Sequence, residues 1–190
     1  YPRMSGVPVV VHYLAEGLLE KGYDVSICTK WYEGLSDKEN INGIHVYRFR
    51  LRKTLMKRYV GEIDSYRKFV LSLNADVVIF ECSECVTTDV LLRNLSQIKG
   101  KKIFHSHGFS GMRLLPFKWN VNLKYTLGNT YNWFRFKIYY SFTLKKYIKQ
   151  FDETICLSEM DSSKVWLMKN AKKVKLLQTA VDDMFCETSK

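Results

Sequence analysis

The sequence predicts an α/β fold in which helices cover both faces of a parallel sheet. Short apolar runs with the length of buried strands recur along the chain, and segments with helical periodicity separate them. The runs are nearly continuous in apolar residues, as in DVVIF at 76–80, which is typical of strands buried on both faces. This alternation predicts a Rossmann-like, doubly wound sheet, in which ligands bind beyond the carboxyl ends of the strands.

The first half of the chain is predicted to contain two helices and three strands. Apolar residues recur every three or four positions along the first helix, and Gly22 closes it. The Asn42-Gly43 turn leads into an alternating strand. The expected helices cover 7–21 and 55–73, and the expected strands cover 24–29, 44–49 and 76–80.

The second half continues the alternation with three strands and three helices. Ser158 and Asp161 form a capping-box-like start for the last helix. The expected strands cover 102–108, 154–159 and 174–177, and the expected helices cover 91–98, 131–151 and 162–170. Because the sequence has no repeat and no linker, residues 1–190 are predicted to form one domain, large enough to bury a core.

Both ends of the sequence interrupt this pattern. A doubly wound domain normally begins with its central strand, yet residues 1–4 leave no room for a strand before the Ser5-Gly6 turn. The last predicted strand leads into a loop as the sequence reaches Lys190. We therefore expect the first strand to be missing from this chain and a further domain to follow it.

The charge of the chain is strongly positive and unevenly distributed. Thirty Lys and Arg residues against 19 Asp and Glu give a net charge of +11, and no acidic residue lies between Asp89 and Asp152. Such a surface attracts phosphate groups, anionic lipid or nucleic acid. No recognised nucleic-acid motif is present, so nucleic acid is not an expected partner. A solvated basic face without a partner is the alternative.

The cysteines indicate a reducing compartment and leave one alternative open. Five cysteines without a framework spacing are typical of a cytosolic protein. Cys82 and Cys85 form a CxxC pair after a predicted strand, which permits a thioredoxin-like redox interpretation. The pair lacks the usual aromatic and proline context, and the neighbouring glutamates disfavour a thiolate. Two free thiols at a loop-to-helix turn are the simpler interpretation.

The predicted helix over 131–151 has two aromatic faces. One face is expected to enter the core, and it consists of Trp133, Phe136, Tyr140, Leu144, Tyr147 and Phe151. The opposite face places Phe134 and Phe142 among Arg135, Lys145 and Lys146. Aromatic rings mixed with cations suit a membrane interface with anionic lipid. The alternative is that this face packs under a neighbouring helix or a further domain.

The order of short motifs resembles the N-terminal, acceptor-side domain of GT-B glycosyltransferases, specifically the retaining family 4. Ser5-Gly6 is similar to the glycine turn of that family, and His107-Gly108 to its "HG" strand end. The other matching segments are 14–25, 42–46, 76–79, 157–159 and 178–185. The resemblance therefore covers nearly the whole chain, although each motif is only a few residues long.

The resemblance implies retaining transfer of a sugar from a UDP- or GDP-sugar, without a bound metal. It also implies a sugar or lipid-linked glycan acceptor, a peripheral position on the cytoplasmic face of the membrane, and a role in cell-surface polysaccharide synthesis. The chain departs from the family at Thr179-Ala180, where Asn-Gly is usual, and no two of its glutamates lie eight residues apart as in the donor-binding signature. This domain alone is thus expected to bind no cofactor, and a non-catalytic module that binds an anionic partner is the alternative.

The same resemblance assigns roles to individual residues. His107 is expected to contact the transferred sugar and to be catalytic, while His105 has a structural role. Gly6 is expected to face the diphosphate of the donor, because a glycine at a helix start lets backbone N–H groups approach an anion. Glu81 and Glu84 are candidates for binding the acceptor hydroxyls. Asp182 is expected to fix the crossing to the further domain.

Overall fold

The strands of the protein form two sheets and a hairpin in the computed structural model, which describes residues 6–54, 59–113, 123–161 and 163–178. The larger sheet consists of four parallel strands in the order β6-β7-β8-β9. These strands are β6 (Val77–Glu81), β7 (Lys101–His105), β8 (Glu153–Cys156) and β9 (Val174–Leu176). The predicted α/β class with a parallel sheet is confirmed.

The smaller sheet has the order β1-β3-β2. Its strands are β1 (Ser26–Lys30), β2 (Lys38–Ile41) and β3 (Ile44–Phe49), with β1 parallel and β2 antiparallel to β3. Helix α1 (Val7–Glu20) packs on this sheet through Ala15, which meets Ile44 and Val46. The sequence predicted a single doubly wound sheet, whereas the described strands divide into two.

Strand β2 was missed because its sequence, KENI, carries a single apolar residue. Tertiary pairing rather than local pattern makes it a strand. The turn between β2 and β3 was predicted correctly. Asn42 and Gly43 both adopt positive φ, at 52° and 93°, which matches the twist of a tight hairpin.

The helix predicted over 55–73 is wrong in its first part. Strand β4 (Leu51–Lys53) pairs antiparallel with β5 (Tyr59–Gly61), and only then does α2 (Ile63–Ser72) begin. Gly61 has φ 104°, and a Cβ atom there would lie 1.9 Å from the Arg50 carbonyl oxygen. This backbone contact requires glycine and favours the hairpin over a continuing helix.

The helix predicted over 91–98 is a 3-10 helix, Leu92–Gln97, which follows the short helix α3 (Val86–Asp89). Its Leu95 side chain is fully buried against the parallel sheet. The aromatic centre of that core is formed by Phe151, whose ring lies 5.2 Å from Phe80 and 5.3 Å from Phe104. The main core therefore lies under β6 and β7, the strands that carry the candidate site.

The predicted helix over 131–151 is the end of a longer helical segment. It begins as α4 (Leu123–Ile138), passes into a π-helical turn at Tyr139–Leu144, and continues as α5 (Lys145–Tyr147) and a 3-10 turn at Ile148–Gln150. Its two predicted faces are confirmed, since Tyr140 and Leu144 are buried while Phe134 and Phe142 are exposed. Among the described helices, none is both long and apolar enough to span a bilayer.

The last helix, α6 (Lys164–Asn170), begins later than predicted, and the cap assigned to Ser158 is wrong. The Asp161 carboxylate accepts hydrogen bonds from the Ser163 N–H at 2.7 Å and the Leu157 N–H at 3.2 Å. Ser158 contributes only its carbonyl oxygen, which accepts from the Asp161 N–H. An Asp side chain three residues before the helix thus satisfies backbone N–H groups on both sides of it, one of them that of Ser163, the residue that precedes the helix.

Part of the basic charge is neutralised at the amino ends of the parallel strands. The Glu153 carboxylate lies within 3.1 Å of the Nζ atoms of Lys173, Lys175 and Lys101. These lysines hold the pKa of Glu153 down at about 2. The carboxyl ends of the strands carry no comparable group of lysines among the described ion pairs, so the two edges of the sheet differ in chemistry.

We predict that Gly100→Ala destabilises the protein more than Gly22→Ala. Both glycines have positive φ, at 76° and 83°, so each substitution costs about 1 kcal/mol in left-handed strain. A Cβ atom at Gly100 would also lie 2.2 Å from the Ala75 carbonyl oxygen, whereas nothing lies within 4 Å at Gly22. We expect a further loss of about 1–3 kcal/mol at Gly100, measured by urea unfolding. Equal losses of stability in the two variants would contradict the close contact between Gly100 and the Ala75 carbonyl group.

Candidate functional site

Two neighbouring parallel strands end in side chains that meet. Glu81 is the last residue of β6 and pairs in register with His105, the last residue of β7. His107 follows two residues later, so in an extended chain it lies on the same side as His105. The site thus occupies the carboxyl edge of the parallel sheet, where α/β proteins bind their ligands.

The Glu81 carboxylate joins both histidines. Its Oε2 atom lies 3.0 Å from Nδ1 of His105 and 2.6 Å from Nε2 of His107. The side chains are 17 %, 5 % and 9 % exposed for Glu81, His105 and His107. Burial raises the pKa of Glu81, but the hydrogen bonds from the two imidazoles outweigh it and lower the pKa below its ordinary value. We call these three residues the Glu81 cluster.

His105 differs from the satisfied structural histidine that the sequence predicts. The residue is buried as expected, but its Nε2 atom has no hydrogen-bond partner within the described part of the chain. The sequence also assigned Glu81 to the acceptor and did not anticipate its contact with His107. The signal that could have found the contact is the position of both residues at the ends of adjacent parallel strands.

The loop after Glu81 is held in an unusual backbone conformation. Cys82 and Glu84 both adopt the left-handed region, with φ of 56° and 63°. Non-glycine residues in this region store strain and concentrate at functional sites. The Cys85 thiol hydrogen-bonds the carbonyl oxygens of Glu81 and Cys82 at 3.5 Å, and both cysteines are free thiols. The hydrogen bond between the thiols raises the pKa of Cys82.

Glu84 is engaged by the segment that follows His107. Its carboxylate accepts hydrogen bonds from the Ser110 hydroxyl at 3.2 Å, the Gly111 N–H at 3.3 Å and the Tyr140 hydroxyl. Burial raises the pKa of Glu84. Glu84 therefore ties the loop after β6 to the turn after β7 and to the long helical segment. Its role toward an acceptor stays a prediction.

A second half-buried carboxylate, Asp89, accepts hydrogen bonds from two tyrosines. The hydroxyls of Tyr59 and Tyr139 each lie 2.6 Å from its oxygens. Burial raises the pKa of Asp89 even though the two hydroxyls lower it. Tyr139 and Tyr140 are consecutive residues at the start of the π-helical turn, and they bind Asp89 and Glu84 respectively. Such turns recur at functional sites.

Arg135, which the sequence placed on the membrane-facing side, is half-buried, and its contact with a membrane stays a prediction. Its guanidinium carbon lies 4.0 Å from the centroid of the Phe136 ring, and its Nε atom is buried without a hydrogen-bond partner in the described segments. Arg135 also lies close enough to Glu84 to oppose the burial that raises the pKa of that carboxyl. Lys145 and Lys146 are exposed as expected.

The remaining predicted residues are Gly6, at the start of α1, and Asp182. Gly6 caps α1 with φ 55° and ψ −130°, a conformation that only glycine adopts easily, and it is exposed. Asp182 falls outside the described residues.

An aromatic cavity of about 300 Å³ lies beside the turn that follows His107. Its lining includes Trp133, Tyr140 and Trp166, together with Lys137 and Gly111. Aromatic faces with a few polar groups at the rim are suited to flat, partly apolar ligands such as sugar rings. The sequence did not predict this cavity, because its walls come from three segments that are distant along the chain.

We predict that Tyr139→Phe destabilises the protein by about 1.5–3 kcal/mol, the range for a hydrogen bond to a charged group. The substitution leaves the half-buried Asp89 with one tyrosine partner among those that the structure describes. Tyr131→Phe, on the same helical segment but 54 % exposed, is the matched control and is expected to change stability by less than about 0.5 kcal/mol. Urea unfolding checks both, and equal effects would show that the Asp89 contact contributes nothing.

Comparison with known proteins agrees with this geometry. A family model described as Glycosyltransferase Family 4 matches residues 4–184, which is nearly the whole chain. No significant match was found among curated proteins or among solved structures. The match spans both sheets and includes Glu81, His105 and His107. The chain therefore belongs to glycosyltransferase family 4.

Proposed function

We propose that this protein transfers a sugar from a UDP- or GDP-sugar to an acceptor with retention of configuration, and that the chain is the N-terminal, acceptor-side domain of a GT-B enzyme. The observation that carries the proposal is the position of His107 in a family 4 chain. It lies at the carboxyl edge of the parallel sheet and is held there by Glu81. Donor-binding residues belong, in this proposal, to a further domain.

His107 is prepared for contact with a sugar. Its Nε2 atom is bonded to Glu81, so Nδ1 is the ring nitrogen left for a sugar hydroxyl. Gly108, with φ 84°, follows it and places no side chain over the imidazole. Glu81 acts in this proposal as a positioning residue, because its carboxylate fixes the ring and selects the proton-bearing nitrogen.

Gly6 is proposed to face the diphosphate of the donor. It caps a helix of 14 residues, whose amino end carries unpaired N–H groups and a partial positive charge. The negative charge on the departing diphosphate would be stabilised there and by basic residues of the further domain. An uncovered glycine at this position lets an anion approach the backbone closely.

The acceptor is proposed to be a lipid-linked glycan that enters by the aromatic cavity. The cavity adjoins the turn at Gly111, which Glu84 binds. The turn lies only a few residues after His107. An acceptor sugar that packs against Trp133 and Trp166 would therefore lie near His107, where the proposal places the reaction. Glu84 then has two roles, since it orders the turn and offers a carboxylate edge to the acceptor.

The exposed face of the long helical segment is proposed to rest on the cytoplasmic leaflet. Phe134 is 58 % exposed and Phe142 is 71 % exposed, and Lys145 and Lys146 are exposed beside them. Burial of the two rings at headgroup level and attraction of the lysines to anionic lipid act together. This position would bring a lipid-linked acceptor to the cavity on the same segment.

We predict that His107→Ala lowers donor turnover at least about 100-fold, because it removes a polar contact made in the transition state. The complete gene product is incubated with UDP- and GDP-sugars and a membrane extract, and nucleotide release is followed. His45→Ala is the matched control, since His45 lies in β3 of the other sheet and is bonded to Asn40. It is expected to leave release unchanged.

Release with one donor, lost in His107→Ala and kept in His45→Ala, supports a transferase and identifies the donor class. Release that His107→Ala does not affect would reject the role assigned to this residue. The absence of release with any donor would favour the alternative of a non-catalytic module that binds an anionic partner.

We predict that the protein co-sediments with vesicles containing phosphatidylglycerol and is released at high salt. Phe134→Ser with Phe142→Ser should weaken binding at least about tenfold through lost apolar burial. Lys145→Gln with Lys146→Gln should weaken it by a similar factor, since each lysine contributes about 1 kcal/mol near an anionic surface.

The matched control for this surface is Val165→Ser with Met168→Ser. These side chains are 81 % and 65 % exposed on α6, so the control removes a comparable exposed apolar area elsewhere on the molecule. Vesicle binding that is equally weakened by the control, or that is indifferent to lipid charge, would contradict the proposed membrane surface.

A further inference from the structure

We propose that Glu81, His105 and His107 form a binding site for a divalent transition-metal ion of the Zn²⁺ class. The family resemblance implies transfer without a bound metal, so this site is a departure from it that is inferred from the geometry of the three side chains alone. In the described part of the chain, they are the group whose ligand atoms converge closely enough. One ligand atom from each lies within 4.8 Å of the other two.

The distances fit a tetrahedral ion after a small movement. In a site with metal–ligand bonds of about 2.0–2.1 Å, neighbouring ligand atoms lie about 3.3 Å apart. Here Oε2 of Glu81 lies 3.0 Å from Nδ1 of His105 and 2.6 Å from Nε2 of His107. The Glu81–His105 pair must therefore open by about 0.3 Å and the Glu81–His107 pair by about 0.7 Å. The two histidine nitrogens, which lie within 4.8 Å of each other, must reach the same separation.

The backbone holds the ligands in place. Glu81 and His105 are register partners at the ends of β6 and β7, so their separation is fixed by the hydrogen bonds of the sheet. His107 lies two residues further on, and its ring centroid is 4.4 Å from that of His105. Ligands mounted on rigid strands lose little conformational freedom when an ion binds.

The ligand types select the ion. Two imidazole nitrogens and one carboxylate oxygen suit Zn²⁺ and similar transition ions, whereas Mg²⁺ and Ca²⁺ prefer all-oxygen sites. The single carboxylate charge leaves the bound ion electrophilic. Three protein ligands also leave a fourth position for water or a substrate oxygen.

Metal binding would change the proton position on His105. Its Nδ1 atom now bonds Glu81 and would become the metal ligand, so the ring proton would lie on Nε2. That atom is buried and has no hydrogen-bond partner in the segments that the structure describes. A hydrogen-bond acceptor on the second ring nitrogen of a metal-bound histidine typically raises the metal affinity by about 10–100-fold. Because Nε2 of His105 has none in the described segments, we expect this site to bind metal more weakly than a site with such an acceptor.

The inference does not rest on the proposed function. In the metal-free state, Nε2 of His107 binds Glu81, and in the metal-bound state it would bind the ion. In both states, Nδ1 of His107 is left for a substrate. The metal site and the sugar contact are therefore compatible, and each is tested by a different measurement.

The test is a calorimetric titration of the metal-free protein, without a polyhistidine tag, with Zn²⁺. We expect about one ion per chain, with affinity lowered more than about tenfold in Glu81→Gln and in His107→Ala. Thermal unfolding establishes that both variants are folded. His12→Ala is the control, because His12 also pairs with a carboxylate, that of Glu16, but on exposed α1.

The nearby thiols of Cys82 and Cys85 require a second control, since cysteine thiolates also bind metal ions in many proteins. Co²⁺ distinguishes the two sites, because thiolate ligands add a strong charge-transfer absorption that nitrogen and oxygen ligands lack. Binding without that absorption, kept in Cys82→Ser, supports the proposal. Binding lost in Cys82→Ser, binding unchanged in both Glu81→Gln and His107→Ala, or no binding at all would overturn it.

Discussion

The parallel pairing of β6 with β7 is the contact on which the rest of the molecule depends. It sets Phe80 beside Phe104 in the core and, one residue later, Glu81 beside His105 at the edge. Since successive side chains in a strand point to opposite faces, a shift of one residue would move the rings to the other face of the sheet and separate the carboxylate from the imidazole. The packing of the core therefore fixes the geometry of the site.

The long helical segment connects this site with the surface of the protein. Tyr139 and Tyr140 reach inward to the half-buried carboxylates of Asp89 and Glu84, and Tyr140 also lines the aromatic cavity. Phe134 and Phe142 point outward from the same segment. A single element thus orders the loops of the site and presents the exposed apolar face.

Local patterns were a good guide where periodicity was strong. The first helix, β3 and the two faces of the long helical segment lie where the sequence placed them, because each buries a regular apolar stripe. Short strands were missed. β2, β4 and β5 have three or four residues each and few apolar side chains, and they form because a neighbouring strand supplies hydrogen bonds.

The sequence by itself determined the α/β class, the family, the surplus of positive charge and the placement of Glu81 and His107 at strand ends. Composition and periodicity encode the fold class, the charge and the strand ends locally, and the order of short motifs carries the resemblance to the family. Only the tertiary structure decided that Glu81 binds both histidines and that Glu84 binds Tyr140. These contacts join residues 26 and 56 positions apart, and no local pattern states which strands become neighbours or where a helix crosses them. That choice is made by the burial of the shared core, which is a property of the whole chain.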